Sequence, residues 1–391
     1  MDDTQAVSRR RFFGGVTSVL GALTLRPGFD LWSQAPGQAP APRRQVTLEE
    51  YDAFAKLSFN ENPYGPPDSV LKAMTKAFKY SNRYGYPDGD IVEVLAKHHG
   101  VKPENIMLGS GSGELLDVCC TTFLEGDKRV VGAEPSYNVL YQTASALKAD
   151  QIKLPLLKDY RQDIPGMIAA VKANYRDIGF VYLCNPNNPT GLVVGKQEVA
   201  QLLNGVPGDV PVLIDEAYHH FVEDPSYATS VPYVLEGRQV IVTRTFSKIS
   251  GLAGMRLGYA IAPKGLLDQM RPHTTGTINA IVKWGGVAAM QDTAAMAWVK
   301  KTTLELRGKT VSALQAMGYE VIPSDTNFFM VHLKRPVQPV VEEFRKKGVL
   351  VGRPFPPMVE HLRVSIGTAE EMNRFMVAFR EIFTPGKTAA G

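Results

Sequence analysis

Val240-Ile241-Val242-Thr243-Arg244-Thr245-Phe246-Ser247-Lys248-Ile249-Ser250-Gly251-Leu252-Ala253-Gly254-Met255-Arg256-Leu257-Gly258-Tyr259 is the stretch that decides how this chain is read. An apolar, β-branched run suits a buried strand, and a lysine follows it directly after two hydroxyl residues. A glycine-rich turn and an arginine come next. A lysine at a strand end can bond covalently to an aldehyde, while hydroxyls and an arginine suit a phosphate dianion held beside it. Alone, a Ser-Lys pair in a loop is usually only solvated, so the rest of the chain decides.

Outward from this stretch, residues 100–270 alternate short apolar runs with amphipathic segments. The runs are Arg129-Val130-Val131-Gly132, Gly179 to Leu183, Val210 to Ile214 and Gln239 to Val242. Continuous apolar runs are expected where a parallel sheet is covered on both faces. Each run ends in polar or glycine-rich residues, the loops where open α/β sheets bind ligands. Further on, Ala294 to Met317 reads as one or two helices, Thr326 to Leu333 and Leu362 to Ile366 as strands, and Glu371 to Phe383 as a closing helix. The pattern predicts an α/β fold with a mostly parallel central sheet and a smaller α+β domain made from both chain ends. The expected division is 1–44 signal and linker, 75–285 large domain, and 45–74 with 286–391 small domain.

Four further motifs stand at the ends of these runs. Leu108-Gly109-Ser110-Gly111-Ser112-Gly113-Glu114 offers backbone amides to an anion, with a helix from Glu114 to Leu124 turning its positive end toward it. The glycine spacing is not that of a dinucleotide fingerprint. In Glu134-Pro135-Ser136-Tyr137 a tyrosine after a proline turn can stack on a flat heteroaromatic ring or simply pack. The two Asn-Pro pairs of Cys184-Asn185-Pro186-Asn187-Asn188-Pro189-Thr190-Gly191 make a rigid turn that holds an amide ready to donate to a phenolate oxygen. In Val212-Leu213-Ile214-Asp215-Glu216-Ala217-Tyr218 a buried strand ends in an aspartate, which is costly unless it meets a cation such as a protonated ring nitrogen; a helix cap is the plainer reading. Near the chain end, His361-Leu362-Arg363-Val364-Ser365 sets an arginine in an apolar strand, suited to a carboxylate or to an internal salt bridge. The aldehyde that brings its own phosphate, ring nitrogen and phenolic oxygen is pyridoxal phosphate.

Taken together and in this order, the motifs resemble those of fold-type I pyridoxal-phosphate-dependent aminotransferases, and within them the histidinol-phosphate aminotransferase-like branch. The resemblance rests on Asn60-Glu61-Asn62-Pro63, Asn188-Pro189-Thr190-Gly191, Asp215-Glu216-Ala217-Tyr218, Thr245-Phe246-Ser247-Lys248 and Leu362-Arg363-Val364, and spans about residues 45 to 384. It implies that Lys248 holds the cofactor covalently and acts as general base. It implies that Asp215 pairs with the ring nitrogen, that Asn188 and Tyr218 contact the ring oxygen, and that Tyr137 stacks on the ring. Gly111, Ser112, Thr245, Ser247 and Arg256 are then expected at the phosphate, and Arg363, with Asn188, at the substrate carboxylate. The resemblance also implies a homodimer in which a tyrosine of the partner subunit reaches the phosphate. In Asn82-Arg83-Tyr84-Gly85-Tyr86-Pro87-Asp88 that residue is Tyr84, with Tyr86 as the alternative. A second anionic site in that branch corresponds to Arg353, here within Val349-Leu350-Val351-Gly352-Arg353-Pro354, whose extra glycine leaves a phosphorylated substrate open.

The implied reaction moves an amino group between an amino acid and a 2-oxo acid by a ping-pong mechanism. Racemisation, decarboxylation and elimination begin from the same bound state, and a cofactor-binding module without turnover is the reading outside enzymology. An arginine that retains the substrate carboxylate weighs against decarboxylation, and a mere binder has less need of the full residue set.

Composition limits the other possibilities. The chain has 391 residues, 44% hydrophobic and 21% charged, enough for a large core. Six arginines and three aspartates lie in residues 1–44, so +3 of the formal +4 belongs there and +1 to the remainder. No basic face therefore argues for nucleic acid. Three cysteines make no paired framework, and no stretch has the spacing of a metal site. The amino terminus, Ser8-Arg9-Arg10-Arg11-Phe12-Phe13-Gly14-Gly15 before the apolar run Val16 to Leu25, reads as a twin-arginine export signal. Periplasmic or exported localisation is the expectation. Each candidate cleavage alanine (Ala35, Ala39, Ala41) precedes a proline, so an uncleaved segment serving as a membrane tether is part of that expectation.

Overall fold

The strands explain themselves by what covers them. In Val212–Asp215 and Val240–Thr245 every residue is buried, because neighbouring side chains point to opposite faces and both faces are roofed by helices. Val212, Ile214, Val240 and Val242 pack into one apolar cluster. Leu213 and Ile241, one residue out of phase, pack into the other. This is a computed structural model, and it describes residues 47–276 and 278–383. The export signal and linker fall outside the described residues.

Twelve strands are described: β1 (Ala55–Leu57), β2 (Ile106–Gly109), β3 (Arg129–Glu134), β4 (Gln151–Pro155), β5 (Ile178–Cys184), β6 (Val212–Asp215), β7 (Val240–Thr245), β8 (Gly258–Ile261), β9 (Val321–Ile322), β10 (Phe328–His332), β11 (Val349–Val351) and β12 (His361–Ser365). Seven of them form the central sheet in the order β2-β8-β7-β6-β5-β3-β4. The neighbours β7-β6-β5-β3-β4 run parallel. β8 runs antiparallel to both β7 and β2, which restores β2 to the common direction. The carboxyl ends of β2, β3, β5, β6 and β7 therefore lie on one edge, together with the start of β8. That edge is where an open α/β sheet binds its ligand.

Two smaller sheets stand beside it. One is antiparallel, β12-β10-β9, and the other pairs β1 with β11 in parallel, joining residues near both chain ends. Their core is Leu57, Phe329, Val331, Phe344, Val364 and Phe375 with their neighbours. The expected closing helix is Ala369–Phe383, and Thr293–Ala316 is a single 24-residue helix. Val70, Met74 and Ala77 of the helix Asp68–Ala77 belong to the core of the large sheet. They meet the helix Ala280–Gln291 where Gly285 and Gly286 remove side chains; a Cβ on Gly286 would lie 2.6 Å from Leu257 Cδ2.

Two expectations are corrected here. The helix after the first glycine motif runs Gly111–Phe123, not from Glu114 to Leu124. It starts earlier because the Ser110 amide is taken up by Glu114 Oε2 at 2.5 Å, which fixes the first turn around Gly111, Ser112 and Gly113. β7 runs Val240–Thr245 rather than ending at Val242, which brings the strand end to within three residues of Lys248.

Candidate active site

Lys248 projects into the edge formed by those strand ends. Its Nζ donates to the Phe59 carbonyl at 3.1 Å and stands 5.6 Å from the centre of the Tyr218 ring. Burial, and then the nearby Arg363 charge, lower its pKa to about 8. A minor but useful fraction of the amine, far more than for a solvated lysine, is thus in the neutral, nucleophilic form at neutral pH.

Asp215 ends β6 and is 2% exposed. Its Oδ1 accepts from Thr243 Oγ1 at 3.2 Å and from the Ala217 amide at 3.2 Å. Burial outweighs these bonds and raises the pKa to about 6. A carboxylate held there gains most from a cation set against it. Glu216, next in sequence, turns to the other face and is spoken for: its carboxylate meets Arg244 at 2.7 and 3.1 Å, and accepts from Thr229 Oγ1 and the Ser230 amide.

The Asn-Pro turn beyond β5 is braced by its own amides. Asn185 exchanges bonds with Val194, donating from Nδ2 at 2.9 Å and accepting from its amide at 2.8 Å. Asn187 accepts from Ser136 Oγ at 2.8 Å and donates to the Pro135 carbonyl at 3.2 Å, which ties this turn to the one carrying Tyr137. Asn188 is left facing the site. Its Oδ1 accepts from Arg363 Nη1 at 2.7 Å and its Nδ2 donates to Tyr218 Oη at 3.3 Å. Tyr137 is half-buried, and burial, aided by the Asp215 charge, raises its phenol to about 12.

The residues expected at a phosphate also come together. Thr245 Oγ1 donates to Ser247 Oγ at 2.8 Å and accepts from the Ser247 amide. Arg256, exposed and in the left-handed region at φ 58°, donates to the Ser110 carbonyl at 3.1 Å and to Ala253 at 3.0 Å. A Cβ on Gly111 would lie 2.2 Å from Arg256 Nη2, and one on Gly258 would lie 2.4 Å from the Ser112 amide. Any side chain at either position would fill the cradle. The cradle sits at the positive amino end of Gly111–Phe123, which favours an anion.

Arg363 lies on β12. Its Nη2 donates to the Ser58 carbonyl at 2.6 Å, and its Nε is buried without a hydrogen-bond partner among the described residues. Burial lowers its pKa to about 10. Arg353 packs its guanidinium on the Phe355 ring at 4.4 Å, and Arg363 lies over the same ring at 4.7 Å. Arg353 also donates to Asn138 Oδ1 at 3.2 Å. Tyr84 and Tyr86 are 99% and 76% exposed, apart from this constellation within one chain.

Sequence reasoning gave no role to Asn60 or Ser365. Asn60 is 1% exposed, has φ 55°, and donates from Nδ2 to Tyr218 Oη at 3.0 Å. The signal was an asparagine in a left-handed turn beside a proline-ended motif, which reads locally as a plain turn.

A lysine of lowered pKa, a buried carboxylate short of a cation, an anion cradle and a buried arginine with a spare donor match the chemical groups of pyridoxal phosphate and an anionic substrate one for one. The fold and site are those of a fold-type I pyridoxal-phosphate enzyme. The model of the family described as aminotransferase class I and II matches residues 53–379. The chain belongs to that family and is a pyridoxal-phosphate-dependent aminotransferase. It is 36% identical to a histidinol-phosphate aminotransferase of Moorella thermoacetica, over 84% of this chain and 85% of that one. It is 33% identical to histidinol-phosphate aminotransferase 2 of Pasteurella multocida, over 89% and 95%. A solved histidinol-phosphate aminotransferase from Sinorhizobium meliloti, in complex with pyridoxal-5'-phosphate, superposes with a TM-score of 0.76 at 26% identity, covering 90% of this chain and 98% of that one.

Proposed function

We propose that this aminotransferase takes its amino group from a donor carrying an anionic group gripped by Arg363, and passes it to a 2-oxo acid. Histidinol phosphate, the compound in the names of its relatives, is the first donor in view. The observation that carries this reading is the buried, unpartnered Nε of Arg363 beside two Nη groups already held by Asn188 and Ser58. A buried guanidinium donor left unpaired is costly, and an incoming carboxylate or phosphate oxygen satisfies it. Arg353, over the same Phe355 ring, adds a second positive charge for a dianion.

Bound pyridoxal phosphate supplies an electron sink that makes the hydrogen beside the donor's amino group removable. The chain's own residues do the rest. Lys248 would hold the cofactor through its amine and would serve as the base that carries that proton. Asp215 keeps the ring nitrogen protonated, and Asn188 and Tyr218 hold the ring oxygen. Tyr137 covers a ring face. Gly111, Ser112, Thr245, Ser247 and Arg256 grip the phosphate.

The test is a donor panel. Purified protein loaded with pyridoxal phosphate is mixed with histidinol phosphate and with single amino acids, and the cofactor's visible band is followed to the aminated form. At least one anionic donor is expected to convert it, with Arg363→Ala slowing that conversion about 100-fold or more, the cost of a buried charge-assisted pair. A loaded enzyme that no donor converts would overturn the reading.

The working unit is a homodimer, with Tyr84 (or Tyr86) reaching the partner's phosphate site; the exposure of both residues supports this. Export through the twin-arginine route, with a periplasmic or tethered product, rests on Ser8 to Leu25. That route carries folded proteins, so a cytoplasmic cofactor can be loaded first. One experiment reads both: fractionated cells should yield periplasmic or membrane-bound enzyme at about twice the 42.9 kDa chain mass by light scattering. Arg9→Lys with Arg10→Lys should retain it in the cytosol. Cytosolic wild-type protein, or a monomeric mass, would contradict the respective half.

A further inference from the structure

The hydrogen bonds around Tyr218 fix more than its position. Ser365 Oγ accepts from the Asn60 backbone amide at 2.8 Å, so its own hydrogen goes elsewhere, and it lies 2.8 Å from Asn60 Oδ1. Ser365 Oγ gives that hydrogen to Asn60 Oδ1, and the side-chain amide is turned accordingly. The Nδ2 group is then the one 3.0 Å from Tyr218 Oη, and it can only donate.

The same logic applies on the other side. Arg363 carries donors only, so the Asn188 atom at 2.7 Å from its Nη1 must be the oxygen. Asn188 therefore also presents Nδ2 to Tyr218 Oη, at 3.3 Å. Two N–H donors converge on one phenol oxygen and take up its lone pairs. The phenol hydrogen has to find an acceptor in a third direction.

Asn60 is suited to this and few residues would replace it. The position needs an acceptor for Ser365 and a donor for Tyr218 on one short side chain, with φ 55° besides. Among residues with a β-carbon, asparagine tolerates that left-handed backbone best. The segment is also fastened: Asn327 Nδ2 donates to the Asn60 carbonyl at 2.9 Å, Arg363 holds Ser58, and Lys248 holds Phe59. Asn60 touches neither the cradle nor Lys248 through its side chain.

We propose that Asn60 is a positioning residue that, oriented by Ser365, forces the Tyr218 hydroxyl to act as a hydrogen donor toward the cofactor's ring oxygen. The proposal rests on the pyridoxal-phosphate reading of the site. A donor aimed at the ring oxygen stabilises negative charge there and weakens that oxygen's hold on a shared proton. Removing Asn60's amide frees the phenol to turn, and the ring oxygen then keeps its proton to higher pH.

The experiment is a spectral pH titration of the bound cofactor, needing no turnover. Asn60→Gly removes the side chain while suiting the backbone, and Ser365→Ala leaves Asn60 in place but releases the amide to flip. In Asn60→Gly the midpoint of the cofactor's colour change should rise by about half a unit to one unit, the worth of one hydrogen bond, and by less in Ser365→Ala. Both shifts should vanish in a Tyr218→Phe background, where there is no hydroxyl to direct. Cofactor-loaded variants with an unchanged melting temperature and the wild-type midpoint would overturn the proposal. So would a shift of equal size in the Tyr218→Phe background, since Asn60 would then act by another route. Failure of the wild-type chain to bind the cofactor would instead strike the parent reading.

Discussion

Lys248→Ala protein is expected to fold with the wild-type melting temperature, to lose the visible absorbance of a covalently held cofactor, and to retain no more than about one part in a thousand of wild-type turnover. Two functions disappear with one amine. The covalent link goes, and so does the base that carries the proton, a contribution of typically 100- to 10,000-fold by itself. Packing loses little, because the Nζ makes its bond to a loop carbonyl at Phe59 rather than to the core. Wild-type apo-protein adds a control. Its rate of cofactor uptake should rise as pH passes through about 8, where the lysine gives up its proton. Turnover within about tenfold of wild type in the alanine variant would remove Lys248 from the mechanism.

The largest stability effect lies one residue from Asp215. Glu216→Gln leaves Arg244 charged, buried and short of its anion. Burial, the largest single influence, opposes the charge on Arg244, yet the Glu216 carboxylate together with Tyr259 and Tyr227 turns the net shift of the guanidinium upward. Breaking one side of such a pair costs about 3–5 kcal/mol. In a chain of this length that lowers the melting temperature by about 4–6 °C. Arg244→Met in addition should recover most of the loss, since an apolar side chain asks for no partner. A fall smaller than about 2 °C in thermal melts of Glu216→Gln would show the pair to be dispensable. Asp215 and Glu216 thus divide the labour: one is left wanting a cation, and the other is spent on holding β6 to β7.

The parallel core strands were legible because burial on both faces writes continuous apolar runs, and the site was legible because its residues follow directly on those runs. Lys248, Asp215, Asn188 and Tyr137 all stand within a few residues of a strand end. The direction of β8 was not legible. Gly258-Tyr259-Ala260-Ile261 has the same apolar character whichever way it runs, and periodicity carries no sign. The pairing of β1 with β11 was hidden for another reason: three-residue strands at opposite ends of the chain carry too little pattern to announce a partner. Arg244 was hidden by its neighbours, since Thr243 and Thr245 face the site while the residue between them points away toward Glu216. Asn60 was quoted among the motifs, but its role depends on Ser365, Tyr218 and Asn188, each more than 100 residues distant.

The reversal at β8 also divides the site by chain entropy. Thr245 pairs directly with Gly258, so Lys248 and Arg256 ride on a loop closed at its base between residues only 13 apart. The half that carries Arg363 is closed by bonds such as Arg363 to Ser58, across 305 residues. Loop closure grows as the logarithm of length, so the second contact costs about 3 kcal/mol more chain entropy than the first if both close from an open chain. Lys248 and Arg256 are therefore held by a local structure, and Arg363 by a long-range one, which forms only when segments near the two ends of the chain have met.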